Sequence, residues 1–368
     1  MVQYSPVAGH RDNSFLESFN RKAVEMCLPV TGSLELTASC NLKCVHCYLG
    51  AAGPRDNNNT STEMSLDRIL ALLDEITEAG CLRFLITGGE PLSRKDFPEI
   101  YRHAKARGLL VTIFTNGTLI TEKIADIFKD LPPQTIEISL YGATEETYEK
   151  ITRVKGSFSN CLKGIERLLQ RNINVQLKTV LMTLNEHEFY SMEKIAEKYG
   201  VKFRFDAAIF PGLDGDKSPL ALRVQPREAV EKEFSDNQRS RHWRQYFERV
   251  RNFAQTDRLY TCGAGTISFH VDSRGGLSPC LMLPDPGYYL SNGSFIDGWD
   301  TISKTIRAKK ARADFICTEC PKRSLCGYCP AFFKLEGGAE QHYSGYLCAI
   351  GESRFQKLTP EEALDGTS

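Results

Sequence analysis

Short apolar runs alternate with longer amphipathic stretches over residues 33–207. The short runs are rich in β-branched and aromatic residues and predict strands over 33–38, 82–87, 109–115, 135–141, 173–182 and 201–207. Helical periodicity between them predicts helices over 65–80, 95–107, 121–130, 157–171 and 186–199. Strands that alternate with helices in this way favour right-handed βαβ units around a parallel sheet. The sequence therefore predicts an α/β fold, either a doubly wound sheet or an incomplete (β/α)6 barrel.

The alternation ends near residue 208. Residues 211–218 are typical of a loop, and 226–254 form a charged helical stretch whose charges are typical of a solvated helix face. Residues 266–280 alternate around two glycines and predict a hairpin. We therefore divide the chain into an N-terminal segment (1–32), a barrel (33–207), a linker with a charged helix (208–260), a cysteine-rich domain (261–350) and a tail (351–368).

Composition limits the compartment and the partners. The 368 residues hold 46 Lys and Arg against 46 Asp and Glu, which gives none of the positive field of nucleic-acid or anionic-membrane binders. Residues 1–33 lack the apolar stretch of a signal peptide, and no run is long enough to span a bilayer. We therefore expect a cytoplasmic protein without nucleic-acid or membrane partners. In that reducing compartment, 13 cysteines more often indicate metal binding than disulfides.

Three cysteines follow the first predicted strand closely. Cys40, Cys44 and Cys47 have CX3CX2C spacing, which can hold three irons of one cubane cluster and leave the fourth iron without a protein ligand. The alternative is a closed zinc site completed by His46 or a distant residue. Residues 88–91, Gly-Gly-Glu-Pro, directly follow the second predicted strand and on their own would indicate only a turn.

Together these motifs resemble the radical S-adenosylmethionine (SAM) enzymes, in order and spacing over residues 33–207. The resemblance implies a partial (β/α)6 TIM-like barrel in which the open iron binds the amino and carboxylate groups of SAM. Reductive cleavage of SAM then gives a 5′-deoxyadenosyl radical that abstracts a hydrogen atom from the substrate. The implied SAM contacts are Tyr48, Gly88, Gly89, Glu90, Asn116, Glu137, Ser139, Arg153 and Lys178, and Asn185 is a further candidate. Ordinary core packing of Tyr48, strand-end polarity and a solvated Arg153 are the alternatives.

A second set of cysteines fills the C-terminal part. Its CX2CX5CX2C core, bracketed by further cysteines, resembles the SPASM extension, whose members carry two auxiliary [4Fe–4S] clusters; zinc knuckles are the alternative. The resemblance assigns Cys317, Cys320, Cys326 and Cys348 to a distal cluster (auxiliary cluster II), and Cys262, Cys280 and Cys329 to a proximal one (auxiliary cluster I). The proximal cluster is thus one cysteine short, and Cys27 is an alternative eighth ligand. Cys81 and Cys161 are expected to be buried thiols.

The resemblance implies three [4Fe–4S] clusters, SAM, and a flavodoxin- or ferredoxin-type electron donor. Most SPASM members modify peptides or proteins, so the leading hypothesis is oxidative modification of a peptide or protein side chain, as a crosslink, thioether or dehydrogenation. Only a short segment precedes the first strand, and we expect any leader recognition to come from a separate protein. Leu281 follows Cys280 where sulfatase-maturing members carry Asp, which argues against formylglycine formation.

The catalytic residue remains unknown from the sequence. Asp285 is a candidate base, and a turn residue between two prolines is the alternative interpretation. A small-molecule substrate such as a tetrapyrrole is the first alternative to a peptide. A zinc-binding module without catalysis is the remote alternative.

Overall fold

A single mixed sheet organises the protein. The computed structural model describes residues 13–50, 63–251, 256–283, 285 and 287–359. Within these ranges the sheet has nine strands in the order β6-β5-β4-β3-β2-β1-β7-β8-β9. The strands are β1 Thr31–Glu35, β2 Arg83–Thr87, β3 Leu110–Thr115, β4 Thr135–Ser139, β5 Val175–Val180, β6 Lys202–Asp206, β7 Ser268–Val271, β8 Gly276–Ser278 and β9 Tyr288–Tyr289.

Strands β1 to β6 run parallel, and each pairs with its neighbour in the chain. The predicted parallel α/β architecture is therefore confirmed, and it is consistent with a partial TIM-like barrel. The predicted hairpin is also present as β7 and β8, which pair antiparallel. Strand β7 further pairs in parallel with β1, so the C-terminal part of the chain extends the barrel sheet directly.

Helices connect the strands: α1 Asn13–Met26, α2 Leu66–Glu78, α3 Phe97–Ala106, α4 Glu122–Asp130, α5 Glu145–Thr152, α6 Ser157–Leu169, α7 Phe189–Tyr199, α8 Pro226–Phe234, α9 Asn237–Val250, α10 Phe295–Ala308, α11 Pro330–Gly337 and α12 Gly345–Leu358. The charged stretch forms two helices, because the Asp236 carboxylate accepts hydrogen bonds from the Gln238 and Arg239 amides and starts α9. None of the helices in the described ranges is long and apolar enough to cross a bilayer.

The two faces of the barrel sheet differ in chemistry. Leu34, Ile86 and Ile113 are fully buried in the main hydrophobic cluster, which also takes in the apolar stripes of the covering helices. Their neighbours Glu35 and Phe114 point to the opposite face, since side chains alternate along a strand. That opposite face is the barrel interior, and it carries most of the charged strand residues.

Candidate functional site

The cysteine loop, residues 39–48, leaves β1 at the carboxyl edge of the sheet. Val45 N donates to Ile151 O at 3.0 Å, which fastens the loop to the last turn of α5. Cys47 N donates to Cys44 O at 3.2 Å and turns the chain back on itself. Strand β1 spans Thr31–Glu35 and not the predicted 33–38. Beyond its end, Thr37 O and Ser39 O accept hydrogen bonds from Gly89 N and Glu90 N of the loop that follows β2.

The three thiols of the cysteine loop lie close together. Burial raises the pKa of the Cys40 thiol to about 12, and nearby Cys47 adds to the rise. Burial, followed by the neighbouring thiols Cys40 and Cys47, also raises the pKa of Cys44. Thiols that repel one another when charged need bound cations to ionise together, and iron supplies that charge. This donor set therefore fits an iron–sulfur cluster held by three cysteines.

Asn116 borders the three-cysteine group. Its Nδ2 atom donates to Asn41 Oδ1 at 2.9 Å and lies 3.9 Å from Cys40 Sγ. Its Oδ1 atom accepts from Thr118 N at 2.9 Å, which fixes the orientation of the amide. The structure thus places this predicted SAM contact at the edge of the site.

Glu90 faces β3. Its fully buried carboxylate accepts hydrogen bonds from Thr115 Oγ1 at 2.7 Å, Asn116 N at 2.8 Å and Leu92 N at 3.1 Å. Burial raises the pKa of Glu90 to about 7, against the effect of these hydrogen bonds. The Glu90 side chain thus connects the loop after β2, residues 88–91, to the end of β3. Because this carboxylate is already hydrogen-bonded, a SAM contact at Glu90 would use its backbone atoms.

Gly88 and Gly89 lie directly against the backbone that leads into Cys40. A Cβ atom on Gly89 would stand 2.3 Å from Ser39 O. A Cβ atom on Gly88, whose φ is +141°, would stand 2.4 Å from Thr37 O. A side chain at either position would push the cysteine loop away from the sheet, so both positions require glycine.

We expect Gly89→Ala to lower the free energy of unfolding by about 1–3 kcal/mol, because the added methyl group has no space. The displaced backbone adjoins Cys40, so iron loading should fall as well. Thermal denaturation and iron analysis after anaerobic reconstitution measure both effects. Gly345→Ala is the matched control, since a Cβ atom there meets nothing within 4 Å. Equal melting and equal iron content in the two variants would contradict this role for Gly89.

Charged side chains from neighbouring strands meet inside the barrel. Lys178 Nζ lies 2.8 Å from the centroid of the Phe114 ring and 3.7 Å from Glu137 Oε2. Arg204 pairs with the same carboxylate, and its Nε atom is 3.2 Å from Oε2. Burial lowers the pKa of Lys178, although Glu137 opposes the shift. The predicted contacts Glu137 and Lys178 thus lie together, Ser139 pairs with Lys178 in the sheet register, and Arg204 joins them unpredicted.

Arg153 and Asn185 have different surroundings. Arg153 ends α5 in the left-handed region, with φ of 58°, and its exposed side chain lines a surface cavity of about 370 Å³ together with Val45 of the cysteine loop. Its pairing with the SAM carboxylate stays a prediction. Asn185 is fully buried, and its amide donates to Tyr141 O and Val180 O, which makes it part of the loop structure.

The end of β1 holds a buried polar group that was not expected from the sequence. Tyr48 OH donates to Glu35 Oε1 at 3.1 Å, and His270 Nε2 of β7 lies 3.8 Å from the same oxygen. His270 Nδ1 is 2.9 Å from Ser33 Oγ. Glu35 and His270 are only 4% and 6% exposed. The available signal was a carboxylate at an inward position of a predicted strand, and Tyr48 is the one predicted contact in this group.

Stability should depend on the charge of Glu35. Burial raises the pKa of Glu35 from its ordinary value of 4.5 to about 7, so the folded protein binds this proton more tightly than the unfolded chain. Ionising Glu35 therefore costs stability as the pH rises from 4.5 to 7. Glu35→Gln removes this cost and keeps an acceptor for Tyr48. We expect the variant to gain about 1–3 kcal/mol over the wild type at pH 8 relative to pH 5.

Urea denaturation of both metal-free proteins at the two pH values measures this gain. Glu99→Gln on the exposed face of α3 serves as the control and should show no pH-dependent gain. If Glu35→Gln and Glu99→Gln respond alike, the buried carboxylate does not set the pH dependence.

Four C-terminal cysteines line one cavity of about 350 Å³. They are Cys317, Cys320, Cys326 and Cys348, the set that the resemblance assigned to the distal cluster. Burial, followed by the three neighbouring thiols, raises the pKa of Cys326 to about 12. Cys348 comes from α12 and is exposed, so the cavity reaches the protein surface.

Cys262, Cys280 and Cys329 form a separate group. Burial, followed by Cys280 and Cys262, raises the pKa of Cys329 to about 12. Cys329 also begins α11, where its sulfur accepts from Phe332 N at 3.4 Å. The thiol of Cys27 lies against its own helix, 3.6 Å from Val24 O. The structure thus brings together the three cysteines of the predicted proximal cluster.

Zinc sites and iron–sulfur clusters differ in how closely their cysteine ligands approach one another. Among the residues with described positions, no three His, Cys, Asp or Glu side chains converge as the ligands of one metal ion do. Zinc holds each cysteine sulfur at about 2.3 Å from one point. In a cubane each thiolate binds a different iron, so the thiolates stand around a larger body. The four cysteines that line one cavity are compatible with that arrangement.

The remaining candidates lie elsewhere. Cys81 and Cys161 are buried in the main hydrophobic cluster, in agreement with the sequence analysis. The Asp285 side chain is 82% exposed and pairs with Lys334 Nζ at 2.7 Å. An exposed, ion-paired carboxylate gives no support to the suggested role as a base.

Residues 34–198 match the family model described as the Radical SAM superfamily. An AdoMet-dependent heme synthase of Methanosarcina barkeri is 27% identical over 329 residues, which cover 81% of this chain and 90% of that relative. The mycofactocin maturase MftC of Mycobacterium tuberculosis is 28% identical over 316 residues, which cover 82% of this chain and 78% of MftC.

The fold has a counterpart among solved structures. Streptococcus suis SuiB bound to precursor peptide SuiA superimposes with a TM-score of 0.68 at 16% identity, over 92% of this chain and 82% of SuiB. At this low identity the similarity shows a shared fold.

Proposed function

We propose that this protein, whose residues 34–198 match the Radical SAM superfamily model, is a radical SAM enzyme that oxidatively modifies a peptide or protein side chain. The family uses a [4Fe–4S] cluster and SAM. When bound, they supply a 5′-deoxyadenosyl radical that takes a hydrogen atom from the substrate. The observation that carries the proposal is the three-cysteine loop at the carboxyl edge of the barrel, with two further cysteine groups in the C-terminal part.

Different residues of the barrel are proposed to bind the cluster and to bind SAM. We assign Cys40, Cys44 and Cys47 to the radical cluster, with Asn116 at its border. Gly88 and Gly89 let the neighbouring loop approach the cysteine loop closely. The polar side chains proposed to orient SAM lie on the barrel-facing side of the strands and at the rim: Tyr48, Glu137, Ser139, Arg153 and Lys178.

The two C-terminal cysteine groups support a net oxidation of the substrate. Strand β7, on the hairpin between Cys262 and Cys280, pairs directly with β1, so this hairpin connects the proximal group to the barrel wall. We assign one auxiliary [4Fe–4S] cluster to each group, which makes three clusters in all. Auxiliary clusters supply electron acceptors, and a net oxidation of the substrate needs one.

A peptide substrate agrees with the similarity to the mycofactocin maturase along most of the chain. We further propose two protein partners in the cytoplasm. A separate protein would bind the leader of the peptide, and a flavodoxin- or ferredoxin-type protein would donate the electron. A tetrapyrrole is the second candidate substrate, because the heme synthase relative aligns over 90% of its own length.

The test offers both substrate classes to cluster-loaded enzyme with SAM and a reductant. One arm contains deuterated short peptides encoded beside the gene, and the other contains deuterated tetrapyrroles. We expect deuterium in 5′-deoxyadenosine and a peptide that has lost two hydrogen isotopes, at least one of them deuterium, or a related change. Deuterium transfer from tetrapyrroles alone would replace the first candidate by the second. Transfer from neither would refute both.

A further inference from the structure

The outer face of helix α9 carries three exposed arginines. Arg241, Arg244 and Arg249 are exposed there. In the part of the chain that the structure describes, no carboxylate lies within ion-pair distance of these three guanidinium groups, whereas Arg239 is paired with Glu193. Glu248 lies on the same side of the helix and pairs with Arg251, so the face keeps a net positive charge within a chain of zero net charge. We call Arg241, Arg244 and Arg249 the α9 basic face.

The opposite face of α9 is anchored beside the distal cysteine group. Tyr246 OH donates at 3.1 Å to the carbonyl of Ser324, in the loop between Cys320 and Cys326. The Phe247 ring packs edge-on against Phe355 of α12, with ring centroids 6.2 Å apart. Because α12 also carries Cys348, the helix is fixed to both segments that form the distal cavity.

A second set of contacts holds the same junction. The Arg354 guanidinium lies 4.4 Å from the centroid of the Trp243 ring, and its Nη1 atom donates to Leu325 O at 2.6 Å. Arg354 also pairs with Glu233 of α8. The α9 basic face therefore has a rigid base and a fixed position beside the cavity.

The distal cavity is accessible and has basic residues at its rim. Cys348 is exposed, and Lys322 and Arg323 line the cavity beside the cysteines. Lys322 is paired with Glu352, while the Arg323 guanidinium lies 4.0 Å from the centroid of the Tyr328 ring. A cluster in this cavity would lie near the surface, beside the helix that carries the α9 basic face.

We propose that the α9 basic face docks an acidic one-electron carrier protein of the flavodoxin or ferredoxin type against the distal cysteine group. The inference rests on the proposed function, because it requires a cluster in the distal cavity. Positive charge on a rigid helix beside a surface-near redox centre is complementary to a negatively charged carrier, and such complementarity mainly sets the association rate and the orientation.

The test compares two triple charge reversals in the full-length, cluster-loaded protein. One is Arg241→Glu/Arg244→Glu/Arg249→Glu, and its control is Arg102→Glu/Lys123→Glu/Lys129→Glu on α3 and α4, which cover the barrel. Binding of an acidic flavodoxin is measured by biolayer interferometry at low and high salt. Stopped-flow absorbance follows cluster reduction by the flavodoxin hydroquinone. Dithionite, which needs no docking site, reduces each sample in parallel.

We expect the α9 variant to bind flavodoxin about 10-fold or more weakly, to lose most of its salt dependence, and to be reduced correspondingly slowly. The control should stay within about 2-fold of the wild type, and dithionite should reduce all three proteins equally. Wild-type binding by the α9 variant, an equal loss in the control, or preferential binding of single-stranded RNA to this face would overturn the docking proposal. Samples without any dithionite-reducible cluster would refute the proposed function itself.

Discussion

Replacement of Cys40, Cys44 and Cys47 by alanine together is expected to abolish formation of 5′-deoxyadenosine. The bound iron should fall from about 12 to about 8 atoms per chain, because one of the three proposed four-iron clusters loses its ligands. The auxiliary cysteine groups lie in the C-terminal part of the chain and should keep their iron. Iron and sulfide analysis, electron paramagnetic resonance after reduction, and chromatography of SAM products measure the three effects.

Cys27→Ser is the matched control for this variant. Cys27 is a cysteine outside both C-terminal groups and the cysteine loop, and Trp299 Nε1 contacts its backbone carbonyl rather than its thiol. Its removal should leave iron content and SAM cleavage unchanged. A protein that holds zinc without iron or sulfide would refute the cluster assignment. Loss of all iron from the triple variant would show that the clusters assemble cooperatively and not at separate sites.

Spacing alone predicts the group formed by Cys40, Cys44 and Cys47, because these three cysteines occupy one loop. The two C-terminal groups were implied by the family resemblance and not by spacing, since Cys329 follows Cys326 closely yet lies with Cys262 and Cys280. The parallel strands could also be predicted, since apolar runs that are buried on a sheet face give a clear sequence pattern. The short helix α5 was missed because its apolar residues are too few to show periodicity.

The barrel interior could not be predicted, because its contacts join strands far apart in the chain. The Glu35 carboxylate meets His270 only because β7 pairs in parallel with β1, a connection that no local signal indicates. Arg204 likewise reaches Glu137 across the intervening strand β5. Single charged residues in apolar strands were visible in the sequence, but their partners depend on sheet order.

The proximal cysteine group should couple SAM cleavage to product formation. We expect Cys329→Ser to lower bound iron from about 12 to about 8 atoms per chain, to leave 5′-deoxyadenosine formation in place, and to reduce modified product at least about 10-fold. The oxidation would then lack its acceptor beside the substrate. Serine suits this position because Cys329 caps α11, and a hydroxyl group preserves the cap that alanine would remove.

The same variant tests the open coordination position implied by three cysteines. Cys262, Cys280 and Cys329 leave one iron of a cubane without a cysteine ligand. The nearby Tyr260 hydroxyl already donates to Glu340 Oε1 at 3.0 Å, so this phenol is engaged. Substrate added to the wild type should therefore change the paramagnetic resonance signal of the proximal cluster. Cys326→Ser in the distal group should keep that change and Cys329→Ser should lose it; a signal insensitive to substrate in the wild type would mean that the fourth position is closed.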